Sequence, residues 1–239
     1  MRIDIFTIFP ALIDNFVNNS LIGKAQAKGV LSIHAHDLRE GASGTHKAVD
    51  DTPFGGGPGM VLKPEPIFEV VEKKNPPRPL FLLSPAGETF TQSKAKELSQ
   101  LGGFSLLCGR YEGVDQRVRD HLIEGEISLG DFVLAGGEIA ALALIETVTR
   151  LVPGVMGNDQ SADSESFSDW LLEYPQYTRP WDFRGLTPPE TLRNGNHEEI
   201  AQWRRAKALE MTLRHRPDLI EKRGGLTAEE KSLLTRKFN

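Results

Sequence analysis

Residues 104–113 read FSLLCGRYEG, an apolar run that ends in a loop containing two glycines. A continuous apolar strand is typical of a parallel sheet whose two faces are both covered. Two further stretches have the same form: LFLLSPAG at residues 80–87 and ISLGDFVLAGGE at residues 127–138. Ligands of such sheets bind outside the carboxyl ends of the strands. The three loops therefore predict one shared cleft, although any single loop could be an ordinary turn.

Strands and helices alternate outward from this stretch. We predict strands over 1–8, 30–36, 80–83, 104–108 and within 127–134, and helices over 10–28, 65–72, 92–101, 114–122 and 138–151. The alternation predicts an α/β fold with a mainly parallel sheet over residues 1–155.

A polar, acidic segment follows and defines a second boundary. Residues 156–173 carry five acidic and no basic side chains, and they show no periodicity. Composition alone favours a flexible linker over 156–174, while a loop that orders on binding is the alternative.

The tail, residues 175–239, is predicted to be helical. Asn196 can cap a helix, with Glu199 completing a capping box, and Pro217 would end that helix. An apolar stripe follows the cap at helical spacing: Ile200, Trp203, Ala206, Leu209 and Leu213. Arg204, Arg205 and Lys207 lie on the remaining surface, either as a solvated face or as phosphate contacts.

Composition and charge exclude several classes of protein. The chain has 239 residues, a net charge of −5 and one cysteine, Cys108, so an intramolecular disulfide framework and cysteine-rich zinc sites are excluded. Charge is unevenly distributed along the chain: residues 1–155 have a net charge of −4, and residues 174–239 have a net charge of +4. No targeting segment or membrane span is apparent, which predicts a cytoplasmic protein.

The densest glycine cluster, FGGGPGM at residues 54–60, matches neither GxGxxG nor GxxxxGK(S/T). A tight surface turn is the simpler interpretation, and close backbone approach to a ligand is the alternative. His34, His36 and His46 lack cysteine or clustered histidine partners, so no transition-metal site is expected.

Five motifs together resemble the bacterial tRNA (guanine-N1)-methyltransferase family, in the same order from Met1 to about residue 220. They are HKAVDDTPFGGGPGM (46–60), LLCGRYEGVDQRV (106–118), SLGDFVLAGGEIAAL (128–142), TRLVPGVMG (149–157) and LLEYPQYTRP (171–180). The resemblance implies methylation of the guanine at tRNA position 37, just 3′ of the anticodon.

The resemblance also implies a SPOUT-class fold with a deep trefoil knot, one of the rare exceptions to unknotted connections. It implies a homodimer with both active sites at the subunit interface, and a small helical C-terminal domain that binds tRNA. S-adenosylmethionine would be held by residues matching the family's site: Leu83, Ser84, Pro85, Gly109, Tyr111, Glu112, Ser128, Leu129, Gly130, Asp131, Phe132, Val133, Leu134, Gly136, Gly137 and Glu173. Contacts to tRNA would involve His46, Asp50, Arg204, Arg205 and Lys207.

Three residues are implied in the chemistry. Arg150 matches the arginine that would stabilise negative charge on guanine O6, although a cation at a helix C-terminus is its structural alternative. The family's usual base is an aspartate before Ser-Phe, but here Glu165 precedes Ser166-Phe167. Asp169 is the second candidate base. Trp170 stands where the family commonly has glycine, and assistance by Mg²⁺ through the carboxylates is left open.

The sequence is compatible with two other functions. A SPOUT methyltransferase with another RNA target, such as a ribosomal RNA ribose, would need no carboxylate directed at a base. A catalytically inactive RNA-binding relative is the other alternative, and the glutamate at position 165 is the observation behind it.

Overall fold

A computed structural model of the chain describes residues 1–156, 166–167 and 169–238. The chain divides into two compact units, Met1–Gly157 and Asn158–Asn239. Within the described residues, no helix combines the length and apolar character needed to cross a membrane.

A five-stranded parallel sheet forms the centre of the first unit. Its strands are β1 (Arg2–Thr7), β2 (Ser32–Asp37), β5 (Leu80–Thr89), β6 (Gly103–Cys108) and β7 (Gly125–Ser128). They lie in the order β2-β1-β6-β5-β7, and each neighbouring pair is parallel. The predicted α/β class with a parallel sheet is therefore confirmed. A separate antiparallel pair consists of β3 (Asp50–Asp51) and β4 (Val61–Leu62).

Helices cover the sheet and bury two apolar clusters. They are α1 (Pro10–Val17), α2 (Ser20–Ala27), α3 (Pro64–Lys74), α4 (Gln92–Ser99), α5 (Gln116–His121) and α6 (Glu138–Thr149). One cluster contains Phe104 and Leu106 of β6, and the other contains Leu107 of the same strand. Every residue of β6 is buried. Alternate side chains of this strand thus enter the two cores, as its continuous apolar sequence predicts.

Two of the predicted elements are wrong in their extent. The single helix over 10–28 is two helices, because α1 ends at Val17 and Ser20 has φ of 57°. The strand placed within 127–134 is already complete at Ser128, and the chain then forms a loop as far as α6. The apolar residues in that loop have the composition of a strand, but their side chains are largely exposed.

The second unit contains α7 (His197–His215), α8 (Pro217–Lys222) and α9 (Ala228–Thr235). The prediction that the tail is helical from residue 175 is wrong in its extent, because residues 175–196 contain only one short 3₁₀ turn, Glu190–Leu192. Four prolines in this stretch, at positions 175, 180, 188 and 189, disfavour a helix.

The Asn196 side chain accepts a hydrogen bond from the Glu199 amide at 3.3 Å, so the predicted cap of α7 is confirmed. The predicted capping box is wrong, because the Glu199 side chain accepts from the Asn194 side chain and the Asn196 amide donates to Asn194. The predicted burial of Leu213 is wrong, because its side chain is 38% exposed while Thr212 is buried. The Thr212 hydroxyl donates to the Ala208 carbonyl, which lets this polar side chain occupy the inward position.

Candidate active site

A cleft opens at the carboxyl ends of β5, β6 and β7 and encloses about 290 Å³. The β5–β7 ladder is interrupted between Leu83 and Glu88, so residues 84–87 bulge beside the cleft. The loops that follow β6 and β7 complete its walls. This is the edge of a parallel sheet where ligands bind, as the three glycine-containing loops predict.

Glycines allow the walls of the cleft to approach one another closely. A Cβ at Gly137 would lie 2.8 Å from the Cα of Cys108, which is closer than real Cβ atoms come. A Cβ at Gly136 would lie 2.1 Å from Nε of Arg110. The Gly137 amide donates to the Gly109 carbonyl at 2.9 Å. Gly137 thus allows close contact with the backbone after β6, and Gly136 leaves room for the side chain of Arg110.

The buried carboxylate of Glu138 links two segments next to the cleft. Glu138, at the start of α6, is fully buried and accepts a hydrogen bond from the Thr7 hydroxyl at 2.7 Å. Its other oxygen accepts from Nε of Arg110 at 2.8 Å, and the Arg110 guanidinium lies 4.6 Å from the centre of the Phe9 ring. Since Arg110 lines the cleft, Glu138 connects β1 to the loop that follows β6.

We expect Glu138→Gln to destabilise the first unit by about 2–3 kcal/mol, because the amide would face Arg110 or Thr7 with a donor where each needs an acceptor. Urea unfolding measures this change in free energy. Glu146→Gln is the matched control, since Glu146 is an exposed glutamate on the same helix. Equal midpoints for the two variants would contradict the role assigned to Glu138.

Cys108 also lies beneath the cleft. Burial and the nearby charge of Glu138 raise the pKa of its thiol well above the usual value, although Arg110 opposes the shift. A thiol that stays protonated at neutral pH is a poor nucleophile. Cys108 is thus a packing residue here.

The glycine-rich loop is joined to the cleft through Glu112. Gly55, Gly56, Gly57 and Gly59 all have positive φ, and the Phe54 side chain at its tip is 99% exposed. A Cβ at Gly59 would lie 2.3 Å from Oε1 of Glu112, and the Glu112 amide donates to the Met60 carbonyl at 3.0 Å. The loop is a surface turn at its tip and a close backbone contact at its base.

The structure brings together fourteen of the sixteen residues predicted for the cofactor. Asp131 is not among the lining residues, and Glu173 belongs to the second unit. The prediction missed Arg110 and Arg119, which also line the cleft. Arg110 stands inside the GRYEG stretch, whereas the ion pair of Arg119 with Glu126, at 2.6 Å, has no signal in the sequence.

The residues implied in the chemistry lie away from these loops in the sequence. Arg150 follows the last residue of α6. Glu165 lies outside the described residues. Asp169 is in the second unit, where its carboxylate is 2.7 Å from Nη1 of Arg205. Among the described residues, no group of three His, Cys, Asp or Glu side chains could hold a metal ion.

The residues predicted for tRNA contacts have different surroundings. His46 is exposed beside the glycine-rich loop, and Asp50 is half-buried in β3. Arg204 is exposed, with its guanidinium 5.1 Å from the centre of the Tyr174 ring. Lys207 pairs with Glu210 at 2.7 Å, and Arg205 contacts both Asp169 and Glu230.

Comparison with known proteins identifies the family of this chain. The family described as "tRNA (Guanine-1)-methyltransferase TrmD" matches residues 1–222. A tRNA (guanine-N(1)-)-methyltransferase of Caldanaerobacter subterraneus subsp. tengcongensis is 50% identical over 239 residues, covering 99% of this chain and 98% of the relative. The protein of that name from Halalkalibacterium halodurans is 49% identical, covering 98% of this chain and 96% of the relative. The one from Geobacillus kaustophilus is 50% identical over 224 residues, 92% of each chain. The chain therefore belongs to the tRNA (guanine-1)-methyltransferase family.

Proposed function

We propose that this protein transfers a methyl group from S-adenosylmethionine to N1 of the guanine at position 37 in tRNA. The observation that carries the proposal is the glycine-lined cleft at three parallel strand ends in a chain of this family. The same observations support the motif-based identification as a methyltransferase acting on tRNA.

The walls of the cleft suit the proposed methyl donor. Its volume is near the lower end of the range of about 300–1,000 Å³ that is usual for small-molecule sites, and one side is open. Backbone groups of the three loops that line the cleft can recognise an adenine edge without side chains. The carboxylate of Glu112 lines the cleft and can pair with the ammonium group of the donor's methionine part. We also assign Glu173 and Asp131 to this site, from the family resemblance alone.

S-adenosylmethionine, when bound, supplies a methyl group on a sulfonium sulfur, and the S–C bond breaks as the bond to guanine N1 forms. Glu165 accepts the proton from N1, since a weakly acidic nitrogen needs a positioned base during transfer. The Arg150 guanidinium stabilises the negative charge that then develops on O6. Asp169 remains the alternative base. Positioning of the two substrates supplies the larger part of the rate.

Arg150 and the cleft stand at opposite ends of one helix. Helix α6 begins directly after Gly137, which lines the cleft, and ends before Arg150. Thirteen residues at 1.5 Å per residue separate the two positions by about 20 Å. The family resemblance implies a homodimer with shared active sites, and a separation of this size is consistent with it. We therefore propose a homodimer in which each cleft is completed by Arg150 of the other copy.

Exposed apolar side chains beside the cleft support this homodimer. Phe132, Val133 and Leu134 of the loop before α6, and Ile139 of its first turn, are all exposed. Contiguous exposed apolar residues mark interaction surfaces in soluble proteins. A second copy of the chain would cover them at the place where it completes the site.

The tRNA contacts are assigned to a limited surface. We propose His46 and Asp50 in the first unit and Arg204, Arg205 and Lys207 in the second. Residues 174–239 are net basic, so binding is local and sensitive to salt although the chain is acidic overall. Arg204 is the best placed of these side chains, because it is exposed and stacked on an aromatic ring.

The trefoil knot is proposed from the family resemblance, and the domain boundaries at 155 and 174 and a cytoplasmic location are proposed from the sequence pattern. Assistance by Mg²⁺ through the carboxylates belongs to the same proposal. The alternatives of another RNA target and of an inactive RNA-binding relative are decided by the assay below.

Incubation of the protein with tritiated S-adenosylmethionine and a tRNA transcript tests the function directly. We expect label on a transcript with guanosine at position 37 and none on the transcript with adenosine there. Gly109→Leu should abolish labelling, because a Cβ there meets only ordinary contacts and the longer side chain would fill the cleft. Label on both transcripts would indicate another target, and label on neither would indicate an inactive relative.

A further inference from the structure

We propose that Asp169 is a positioning residue, which ties residues 166, 167 and 169–173 to the C-terminal helices through Arg205 and Arg223. We further propose that Glu230 of α9 holds both arginines in place. This inference rests on the proposed function and deepens it. It gives the last helix, which lies beyond the residues matched by the family, a part in the reaction.

Two carboxylates and two guanidiniums form a closed cluster. Nη1 of Arg205 is 2.7 Å from Oδ2 of Asp169, and its Nη2 donates to Oε1 of Glu230 at 2.6 Å. Nη2 of Arg223 donates to the other oxygen of Glu230, and its Nη1 is 3.8 Å from the same oxygen of Asp169. Each arginine therefore lies between Asp169 and Glu230.

The members of this cluster differ in burial: Glu230 and Arg223 are largely buried, and Asp169 is exposed. Side chains of Glu230 and Arg223 are 8% and 11% exposed, whereas Asp169 is 62% exposed. Burial opposes the ionisation of Glu230, but hydrogen bonds from Arg223, the Thr227 amide and Arg205 outweigh it and lower its pKa to about 2. Glu230 is thus a permanent anion at neutral pH that fixes the guanidiniums.

An exposed ion pair is usually weak, because two long side chains must be ordered to form it. Here the ordering of Arg205 and Arg223 is already provided by Glu230. Asp169 therefore meets cations that are held in place, and its short side chain has little freedom to lose. A contact of this kind can restrict the conformation of the backbone around Asp169.

The backbone around Asp169 needs such support. Phe167 and Trp170 have φ of 76° and 54°, a left-handed conformation that costs side-chain-bearing residues roughly 1–2 kcal/mol each. Three hydrogen bonds oppose this cost: Phe167 amide to Leu171 carbonyl at 2.7 Å, Leu172 amide to Thr212 hydroxyl at 2.8 Å, and Glu173 amide to Ser166 hydroxyl at 3.0 Å. Leu171 packs with Leu209 and Ile220.

The segment matters for the reaction because it follows Glu165, the proposed base, without an intervening residue. Misplacement of a reacting group by about 1 Å can reduce a rate a hundredfold. Oδ2 of Asp169 faces both Arg205 and Arg223, so this side chain is turned toward the C-terminal helices. We therefore assign Asp169 to positioning and leave proton transfer to Glu165.

Hydrogen exchange and kinetics of Asp169→Asn test the proposal together. We expect the amides of Phe167, Leu172 and Glu173 to exchange about tenfold faster, while α7 is unchanged. The kcat for methyl transfer should fall about 5- to 50-fold, with an unchanged KM for S-adenosylmethionine and an unchanged pH profile. Glu230→Gln should act in the same direction. Glu229→Gln is the matched control, because Glu229 is an exposed carboxylate next to Glu230. It should leave the amide exchange rates and the kcat at wild-type values.

Unchanged exchange in Asp169→Asn would overturn the proposal, as would faster exchange with an unchanged kcat. Loss of the acidic limb of the pH profile would also overturn it, because Asp169 would then be the base. If the wild-type protein transfers no methyl group, the proposed function fails, while the exchange measurement still decides whether Asp169 holds the segment. Because Asp169 is largely exposed, its variant is expected to fold even if Glu230→Gln does not.

Discussion

Replacement of Glu165 by glutamine is expected to lower kcat for methyl transfer about a thousandfold, within the range that general-base catalysis contributes. Glutamine has nearly the same shape but cannot accept the N1 proton. Binding of S-adenosylmethionine should be unchanged, because the carboxylate acts on the guanine. Single-turnover measurements with tRNA, and calorimetry with the methyl donor alone, separate the two effects.

Three matched variants sharpen this expectation. Glu165→Asp should retain much of the rate, because aspartate is the usual base of the family at this position. Asp163→Asn removes a neighbouring carboxylate of the same acidic segment and should have little effect. Asp169→Asn should cost far less than Glu165→Gln. The opposite order of these last two variants would assign the base to Asp169.

The cleft could be predicted from sequence because its signals are local. An apolar strand such as β6 and the glycines after it are contiguous in the chain, and parallel topology brings their ends to one edge. The loop before α6 shows the limit of this reasoning. Its apolar residues have the composition of a strand, and only their exposure in the structure distinguishes them from a buried strand. Composition cannot distinguish an apolar residue that is buried in the core from one that is exposed at the surface.

The polar networks could not be predicted, because their members are far apart in the sequence. Thr7 and Glu138 are 131 positions apart, and Arg205 and Glu230 are 25 positions apart. Helical periodicity assigned Arg205 to an outer face, where phosphate contact and solvation were the two alternatives. Its actual partners, Asp169 and Glu230, depend on how separate segments fold together.

Trp170 illustrates how the structure explains a departure from the family pattern. The family commonly has glycine there, and the backbone at this residue is left-handed with φ of 54°. Glycine adopts this conformation without steric cost, whereas tryptophan must be held in it. About half of the Trp170 surface is buried, because the residue is 47% exposed, and this burial offsets part of the cost. The hydrogen bonds of Phe167 and Leu172 support the same turn.

Mixing two inactive variants is expected to restore methyl transfer, if each cleft is completed by Arg150 of the other copy. Arg150→Ala retains a cleft but lacks the guanidinium, and Gly109→Leu retains Arg150 but has a filled cleft. Each variant alone should show less than about 1% of wild-type kcat, since charge stabilisation of this kind contributes a hundredfold or more. Mixed dimers contain one site in which an intact cleft meets an intact Arg150.

The size of the recovery distinguishes the possible arrangements. Random reassociation of equal amounts makes about half of the dimers mixed, each with one working site, so about a quarter of wild-type activity should return. If Arg150 served the cleft of its own chain, every site in the mixture would lack one component and no activity would return. Co-expression with two different affinity tags isolates the mixed dimer, which should then have about half of the wild-type activity. The double variant Arg150→Ala/Gly109→Leu mixed with wild-type protein is the control, because its mixed dimers contain no complete site in the shared arrangement.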